Sequence, residues 1–255
     1  AIGAGWIALR AAQGAGFGTG LDRVPMRWEG RGAVARACDV VWIALAGVFL
    51  LTPLALVVLR GLPGLAMLGA DTWEAAGHSL AVATASTLLC LAWALALASP
   101  RGALFSLAAI AISPLVLGTG LFLILRPFVN PFAMALLVTA LVNALMALPF
   151  ALRVLTPAAE AVRADYGRLA ASLRMTRMAW LRLVLLPRLA RPLGFAAGLT
   201  AALAMGDLGV IALFADPDRA TLPLQVYRLM GSYRMEAAAG ASLLLLILSF
   251  GLFVA

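Results

Sequence analysis

Residues 132–155 read FAMALLVTALVNALMALPFALRVL, an apolar run in which Arg153 is the one charged side chain. As an α-helix, about 20 consecutive apolar residues span the hydrocarbon core of a bilayer. A buried strand is shorter, usually about 4–8 residues, so the length of this run favours a helix. The stretch therefore predicts a transmembrane helix, and it indicates the fold class of the whole chain.

Similar apolar runs occur on both sides of this stretch, at residues 38–59, 79–98, 103–125, 193–214 and 237–255. A shorter run at residues 1–9 resembles the end of a preceding helix, and we expect the chain to be part of a longer one. Pro114 lies inside the third span, and because proline removes a backbone N–H we expect it to kink or break that helix. The predicted fold is all-α, a polytopic transmembrane helical bundle of six spans plus a truncated helix.

Composition supports this class and excludes others. Of the 255 residues, 64% are apolar and 12% are charged, whereas a soluble domain has ~45–50% apolar and ~25% charged residues. This excludes an ordinary soluble enzyme, a disordered chain and a disulfide-rich secreted module. With no lysine in the sequence, the phosphate-binding loop of ATPases is impossible. We therefore expect no enzymatic activity and no cofactor, and an energy source outside this chain.

The formal charge of +8 comes from arginine alone. Fourteen of the 19 arginines fall in one alternate set of loops, which predicts that this set is cytoplasmic. That distribution favours a topology signal over a nucleic-acid-binding surface. The single histidine and two distant cysteines form no recognisable ligand spacing, so no metal site is predicted.

The longest segment between two spans, residues 156–192, is rich in arginine and has an amphipathic pattern. Leu169, Leu173, Thr176 and Trp180 recur at helical spacing, with arginines on the remaining faces. This predicts a short amphipathic helix outside the bilayer. Such a helix either lies on lipid headgroups or docks into a groove of a partner protein.

This segment resembles the coupling-loop motif of the permeases of ATP-binding-cassette importers. Aligned on Leu186-Pro187, the family's Glu-Ala-Ala positions hold Arg168, Leu169 and Ala170, and its glycine position holds Arg174. The alanine and the Leu-Pro pair fit the motif, whereas the glutamate and the glycine are replaced.

Two later segments resemble the permease group for ferric iron, polyamines and thiamine, and within it most closely the thiamine importers. The segment that resembles the whole group is GDLGVIALF at residues 206–214. The one that resembles the thiamine importers runs from TLPL at residues 221–224 to GSYR at residues 231–234. The resemblance implies a type I ABC importer permease that carries thiamine or its phosphate esters. Ferric iron and polyamine remain alternatives within the group, and an ion-coupled secondary transporter or a membrane scaffold are alternatives outside it.

The resemblance also implies a domain organisation and partners. Residues 10–37 would form a cytoplasmic linker between permease halves, and residues 38–255 the permease domain with its coupling loop at about 156–192. The implied partners are an ATPase subunit dimer, a periplasmic substrate-binding protein, the other permease half and the lipid bilayer, with no nucleic acid. The residues implied in ATPase coupling are Arg168, Leu169, Ala170, Ser172, Leu173, Arg174, Met175, Thr176, Arg177 and Pro187.

Four further residues are candidate site residues. Asn143 and Asp207 are polar side chains inside predicted spans, where an isolated charge costs ~2.5–3.5 kcal/mol on insertion scales, so we expect Asp207 to face protein or water. Asp207 either contacts a cationic substrate or serves as a hydrogen-bonding partner at a helix break beside Gly206 and Gly209. Tyr233 and Arg234 are the last two residues of the GSYR segment on the predicted outer side, and they are candidates for contact with the binding protein.

Overall fold

The computed structural model describes residues 32–99, 102, 112–214 and 220–254, and every regular element among them is helical. The run at residues 1–9 and most of the 10–37 segment lie outside these residues. The helices are α1 (Ala33–Gly64), α2 (Ala70–Leu97), α3 (Pro114–Leu125), α4 (Ala135–Ser172), α5 (Arg177–Ala179), α6 (Leu186–Met205), α7 (Gly209–Phe214), α8 (Leu222–Gly231) and α9 (Met235–Val254). Short 3₁₀ turns occur at Leu65–Met67 and Pro131–Met134, and a π-helix at Trp180–Leu185 joins α5 to α6.

Within the described part, five helical segments are long and apolar enough to cross a membrane. They are Arg36–Met67, Ala70–Leu97, Ala135–Ser172, Arg177–Leu213 and Met235–Val254. This confirms the predicted class of a polytopic helical membrane protein. The predicted third span is represented by α3, a 12-residue apolar helix that begins at Pro114, while residues 103–111 lie outside the described residues.

The start of α3 agrees with the prediction that Pro114 interrupts a helix. Ser113 precedes it in an extended conformation, and Pro114 occupies the first turn. A first-turn residue has no intrahelical partner for its N–H, so proline costs nothing there. The proline is therefore a helix start in the described chain.

The chain divides into two units, Ala1–Leu51 and Thr52–Ala255. In the first unit, the described residues belong mainly to the first part of α1, and none of their described side chains is buried. The second unit contains the buried clusters. In the largest, α2, α4 and α6 pack through mostly small side chains, namely Cys90, Ala94, Ala144, Ala147, Leu148, Ala151, Leu152, Leu155 and Ala196. Small residues let helix backbones approach closely in a bilayer, where van der Waals packing drives association.

The end of α1 crosses α9 with almost no space between the backbones. A Cβ added to Gly64 would collide with the carbonyl oxygen of Glu236 and the backbone of Gly240, and one added to Gly240 would collide with Gly64. One turn earlier, a Cβ on Gly61 would lie 2.5 Å from the Cβ of Leu243. The crossing therefore requires glycine at these positions.

The structure differs from the sequence prediction in the arginine-rich segment. Residues 156–172 do not form a loop. They are the last part of α4, a helix of 38 residues that continues without interruption to Ser172. At 1.5 Å per residue such a helix is about 57 Å long, nearly twice the ~30 Å hydrocarbon thickness. The predicted single amphipathic helix across residues 169–180 is also wrong, because the chain turns between Leu173 and Thr176.

Candidate functional site

The turn between α4 and α5, together with the helix ends on either side of it, contains nine of the ten residues that the sequence singled out for ATPase coupling. Arg174 has a positive φ of 49°, and its N–H donates to the Ala171 carbonyl at 3.1 Å. The Met175 N–H donates to the Ala170 carbonyl at 3.0 Å. This pair of bonds is a Schellman motif, in which glycine normally occupies the left-handed position. Arg174 therefore occupies the left-handed position at which a helix usually ends with glycine.

The next helix begins immediately after this turn. The Thr176 side chain accepts a hydrogen bond from the Ala179 N–H at 3.2 Å, which caps the first turn of α5. On the other side, the Ser172 hydroxyl donates to the Leu169 carbonyl at 2.8 Å. The turn is thus held by capping bonds on both sides, and we call residues 168–177 the coupling turn.

The coupling turn presents apolar side chains surrounded by arginines. Leu169 is 56% exposed and Leu173 is 65% exposed. Arg168, Arg174 and Arg177 are also exposed, and none of the three has an ion pair with another residue in the described ranges. An apolar centre with a charged rim is the usual composition of a protein-binding surface. Pro187, the remaining predicted coupling residue, lies apart in the first turn of α6.

Two side chains that the sequence did not single out attach the protruding end of α4 to the spans. Arg163 donates from Nη1 to the carbonyl of Ala98, just after the end of α2, at 2.7 Å. The guanidinium carbon of Arg188, in α6, lies 4.1 Å from the centre of the Tyr166 ring. Below these contacts is a buried cluster of Ala98, Ala159, Val162, Leu185 and Leu189. The end of α4 that leads into the coupling turn is therefore joined to both α2 and α6.

Asn143 and Asp207, distant in sequence, line one cavity of about 170 Å³. The cavity lies among α4, the end of α6 and the start of α3, and its lining residues are Pro114, Asn143, Met146, Ala147, Phe150, Leu203, Ala204 and Asp207. The structure thus brings together the two residues predicted for the translocation path. We call this space the Asp207 cavity.

Asp207 has two different oxygen environments. Its Oδ1 accepts a hydrogen bond from the Gly209 N–H at 3.2 Å, at the break between α6 and α7. Its Oδ2 is buried and has no hydrogen-bond partner among the described residues. Asn143 is 7% exposed and donates from Nδ2 to the Ala204 carbonyl at 3.5 Å. Asp207 therefore has the predicted hydrogen bond at the helix break, but this bond uses Oδ1 and leaves Oδ2 without a partner in the described residues.

At the far side of the bundle, Tyr233 and Arg234 form a second exposed turn. Tyr233 has a φ of 59° and is 87% exposed, and the Arg234 N–H donates to the Leu229 carbonyl at 3.0 Å. Both residues border a surface cavity of about 370 Å³ together with Met67, Met235, Glu236 and Ala237. A tyrosine held in a strained conformation on the surface is available to contact a partner.

The segment that leads into α8 is attached to α2. His78 Nδ1 lies 3.1 Å from the Ala220 carbonyl, and Ser79 Oγ accepts from the Leu222 N–H at 2.7 Å. These contacts hold the start of α8 against α2. Within the described residues, no group of three His, Cys, Asp or Glu could hold a metal ion.

No family model matches the chain, but several curated proteins are similar to most of it. It is 36% identical over 242 residues to the thiamine transport system permease protein of Brucella abortus (strain 2308), covering 89% of this chain and 45% of that protein. It is 36% identical over 237 residues to the protein of the same name from Salmonella typhimurium, and 35% identical over 237 residues to that of Escherichia coli K12. Each of these two matches covers 86% of this chain and 44% of the relative. The chain spans about half the length of the curated relatives it matches.

Proposed function

The chain is a homologue of the thiamine transport system permease proteins. On this premise we propose that it is the membrane-spanning permease of an ATP-binding-cassette importer for thiamine or its phosphate esters. The observation that carries the proposal is 35–36% identity over most of the chain. The five long apolar helices support a multi-pass location in the bacterial inner membrane. As a transport subunit it performs no covalent chemistry, and a separate ATPase dimer supplies the energy.

The coupling turn is the surface on which we place the ATPase. Its exposed leucines would enter a groove of the ATPase, and its arginines would face acidic groups around that groove. Fully burying a leucine is worth ~1.5–3 kcal/mol, whereas exposed ion pairs add ~0–1 kcal/mol each. The leucines would therefore supply most of the affinity, and the arginines would orient the complex.

The remaining candidate residues take two roles in this proposal. Asn143 and Asp207 line the translocation path, and Tyr233 and Arg234 contact the periplasmic substrate-binding protein. The other permease half, fused or separate, completes the pore. Helix α4 carries both Asn143 and the first residues of the coupling turn, so one helix would transmit motion between the ATPase and the path.

The deciding experiment is reconstitution of the full-length permease with its ATPase in lipid vesicles. With the binding protein loaded with labelled thiamine, uptake should require ATP and should persist when ionophores remove ion gradients. Uptake that follows an ion gradient without ATP would instead indicate a secondary transporter. Uptake of ferric iron or a polyamine in place of thiamine would keep the transporter class and change the substrate.

A change in the coupling turn tests the ATPase contact. We expect Leu173→Ser with Arg174→Glu to lower ATPase co-purification and thiamine-stimulated ATP hydrolysis by about tenfold, because it removes an apolar contact and reverses a charge. Both side chains are exposed, so thermal unfolding of the permease should not change. The control is Arg191→Gln, an exposed arginine of α6 outside the turn, which should leave both measurements as in the parent. Normal coupling in the double variant would contradict the contact.

A further inference from the structure

The Asp207 cavity combines three side-chain chemistries around one unsatisfied oxygen. The Oδ1 of Asp207 is occupied by the Gly209 N–H, while Oδ2 is buried without a partner in the described part of the chain. A buried carboxylate oxygen is costly unless a donor or a cation satisfies it. Phe150 and Met146 supply an aromatic ring and a polarizable sulfur to the same lining. The cavity therefore offers a negative charge next to an apolar, aromatic surface.

We propose that the Asp207 cavity binds a flat organic cation, one aromatic ring with a single positive charge, during its passage through the membrane. Asp207 Oδ2 neutralises the charge, and the ring of Phe150 packs against the cation, as aromatic faces do with organic cations. Asn143, which donates to the Ala204 carbonyl, lines the same cavity and adds a polar amide beside the carboxylate.

This inference rests on the proposed function, because the thiazolium ring of thiamine is such a cation. The size also fits, since an apolar cavity of about 150 Å³ holds one benzene molecule. At about 170 Å³ the Asp207 cavity has room for one such ring. Binding of part of the cargo suits a path residue, which must release what it binds.

The same composition argues against the other cargoes of the permease group. Ferric iron needs several oxygen or nitrogen ligands, and this cavity contains one carboxylate among its lining residues. A polyamine carries several charges along a flexible chain and would require more than one acidic group. A single carboxylate beside an aromatic ring matches a single fixed charge on a flat ring.

Asp207→Asn tests the charge without removing the turn. The asparagine carbonyl can still accept from the Gly209 N–H, so the break between α6 and α7 is preserved. In the reconstituted full-length transporter with saturating binding protein, we expect labelled thiamine uptake to fall about tenfold or more, as for loss of a charged hydrogen bond. Thermal unfolding and ATPase co-purification should not change. The control is Asp71→Asn, an exposed carboxylate in the first turn of α2, which should transport normally.

Normal thiamine uptake by the Asp207→Asn variant would overturn the inference. Asp207 would then have only its structural role at the break between α6 and α7. If that variant fails to assemble, two substitutions of Phe150 provide the test. Phe150→Leu removes the aromatic ring and should lower thiamine uptake about threefold to tenfold, whereas Phe150→Trp keeps a ring and should preserve uptake. Equal uptake in both would overturn the inference. These outcomes differ from failure of the proposed function, in which the unmodified transporter itself takes up no thiamine.

Discussion

Arg174 and Tyr233 both have the left-handed backbone conformation that glycine usually adopts at the end of a helix. Both have positive φ values and both occupy the left-handed position of a Schellman motif. An L-residue with a side chain pays ~1–2 kcal/mol for this conformation. The sequence identified Arg174 as a departure from the family motif, and in the structure this residue has the left-handed conformation that glycine favours.

Replacing Arg174 with glycine should therefore stabilise the coupling turn. Relief of the strained φ outweighs the greater freedom of glycine in the unfolded chain, and we expect Arg174→Gly to raise the free energy of unfolding by about 0.5–1 kcal/mol. Thermal unfolding of the purified full-length protein measures the effect. Arg177→Gly is the matched control, since Arg177 is helical and glycine there should destabilise. A lower melting temperature for Arg174→Gly would contradict this account of the turn.

At the scale of the helices, hydropathy predicted the spans well and the turns poorly. Apolar runs of sufficient length and the proline at residue 114 were enough to predict the helical class and the start of α3. The turn at residues 173–176 has no glycine or proline to mark it. Pro157 lies inside α4 without ending it, and the π-helix at Trp180–Leu185 has no sequence signal. Local backbone and capping bonds hold the turn, and hydropathy does not report such bonds.

The glycine crossing between α1 and α9 gives a sharp test at this scale. Gly240→Leu would force a side chain into the backbone of Gly64, so we expect the two helices to separate and the free energy of unfolding to fall by more than about 2 kcal/mol. Thermal unfolding and the yield of folded protein in membranes report the loss. Gly251→Ala is the control in the same helix, because nothing lies within 4 Å of its added Cβ. Equal stability of both variants would show that the crossing tolerates separation.

At the scale of the whole molecule, the candidate sites are connected by contacts that sequence could not supply. Asn143 and Asp207 could be selected because polar residues are rare in spans, but their meeting in one cavity with Phe150 depends on how α4 packs beside α6. The same holds for Arg163 and Ala98. Hydropathy predicts which residues are unusual in a membrane, whereas tertiary packing decides which of them act together.

Arg163 joins α4 to Ala98 five residues before the coupling turn, so under the proposed function its loss should separate ATP hydrolysis from transport. We expect Arg163→Met, which keeps the apolar stem but loses the bond to Ala98, to lower thiamine uptake per ATP hydrolysed severalfold while ATPase co-purification stays normal. A merely structural contact would change melting temperature without changing this ratio. Arg182→Met is the control, being exposed in the π-helix. An unchanged ratio for Arg163→Met would exclude transmission through Ala98.

The crossing of Gly64 and Gly240 also has a consequence for biogenesis. The ribosome adds ~5–20 residues per second, so the roughly 170 residues between these glycines take about 10–35 s to synthesise. During that interval the end of α1 is in the membrane while its partner helix does not yet exist. Its glycines would leave a groove of exposed backbone beside lipid or insertion machinery. The order of synthesis therefore makes this helix crossing a late step of assembly, and a stalled chain that ends before α9 would present an unpaired α1 to quality-control proteases.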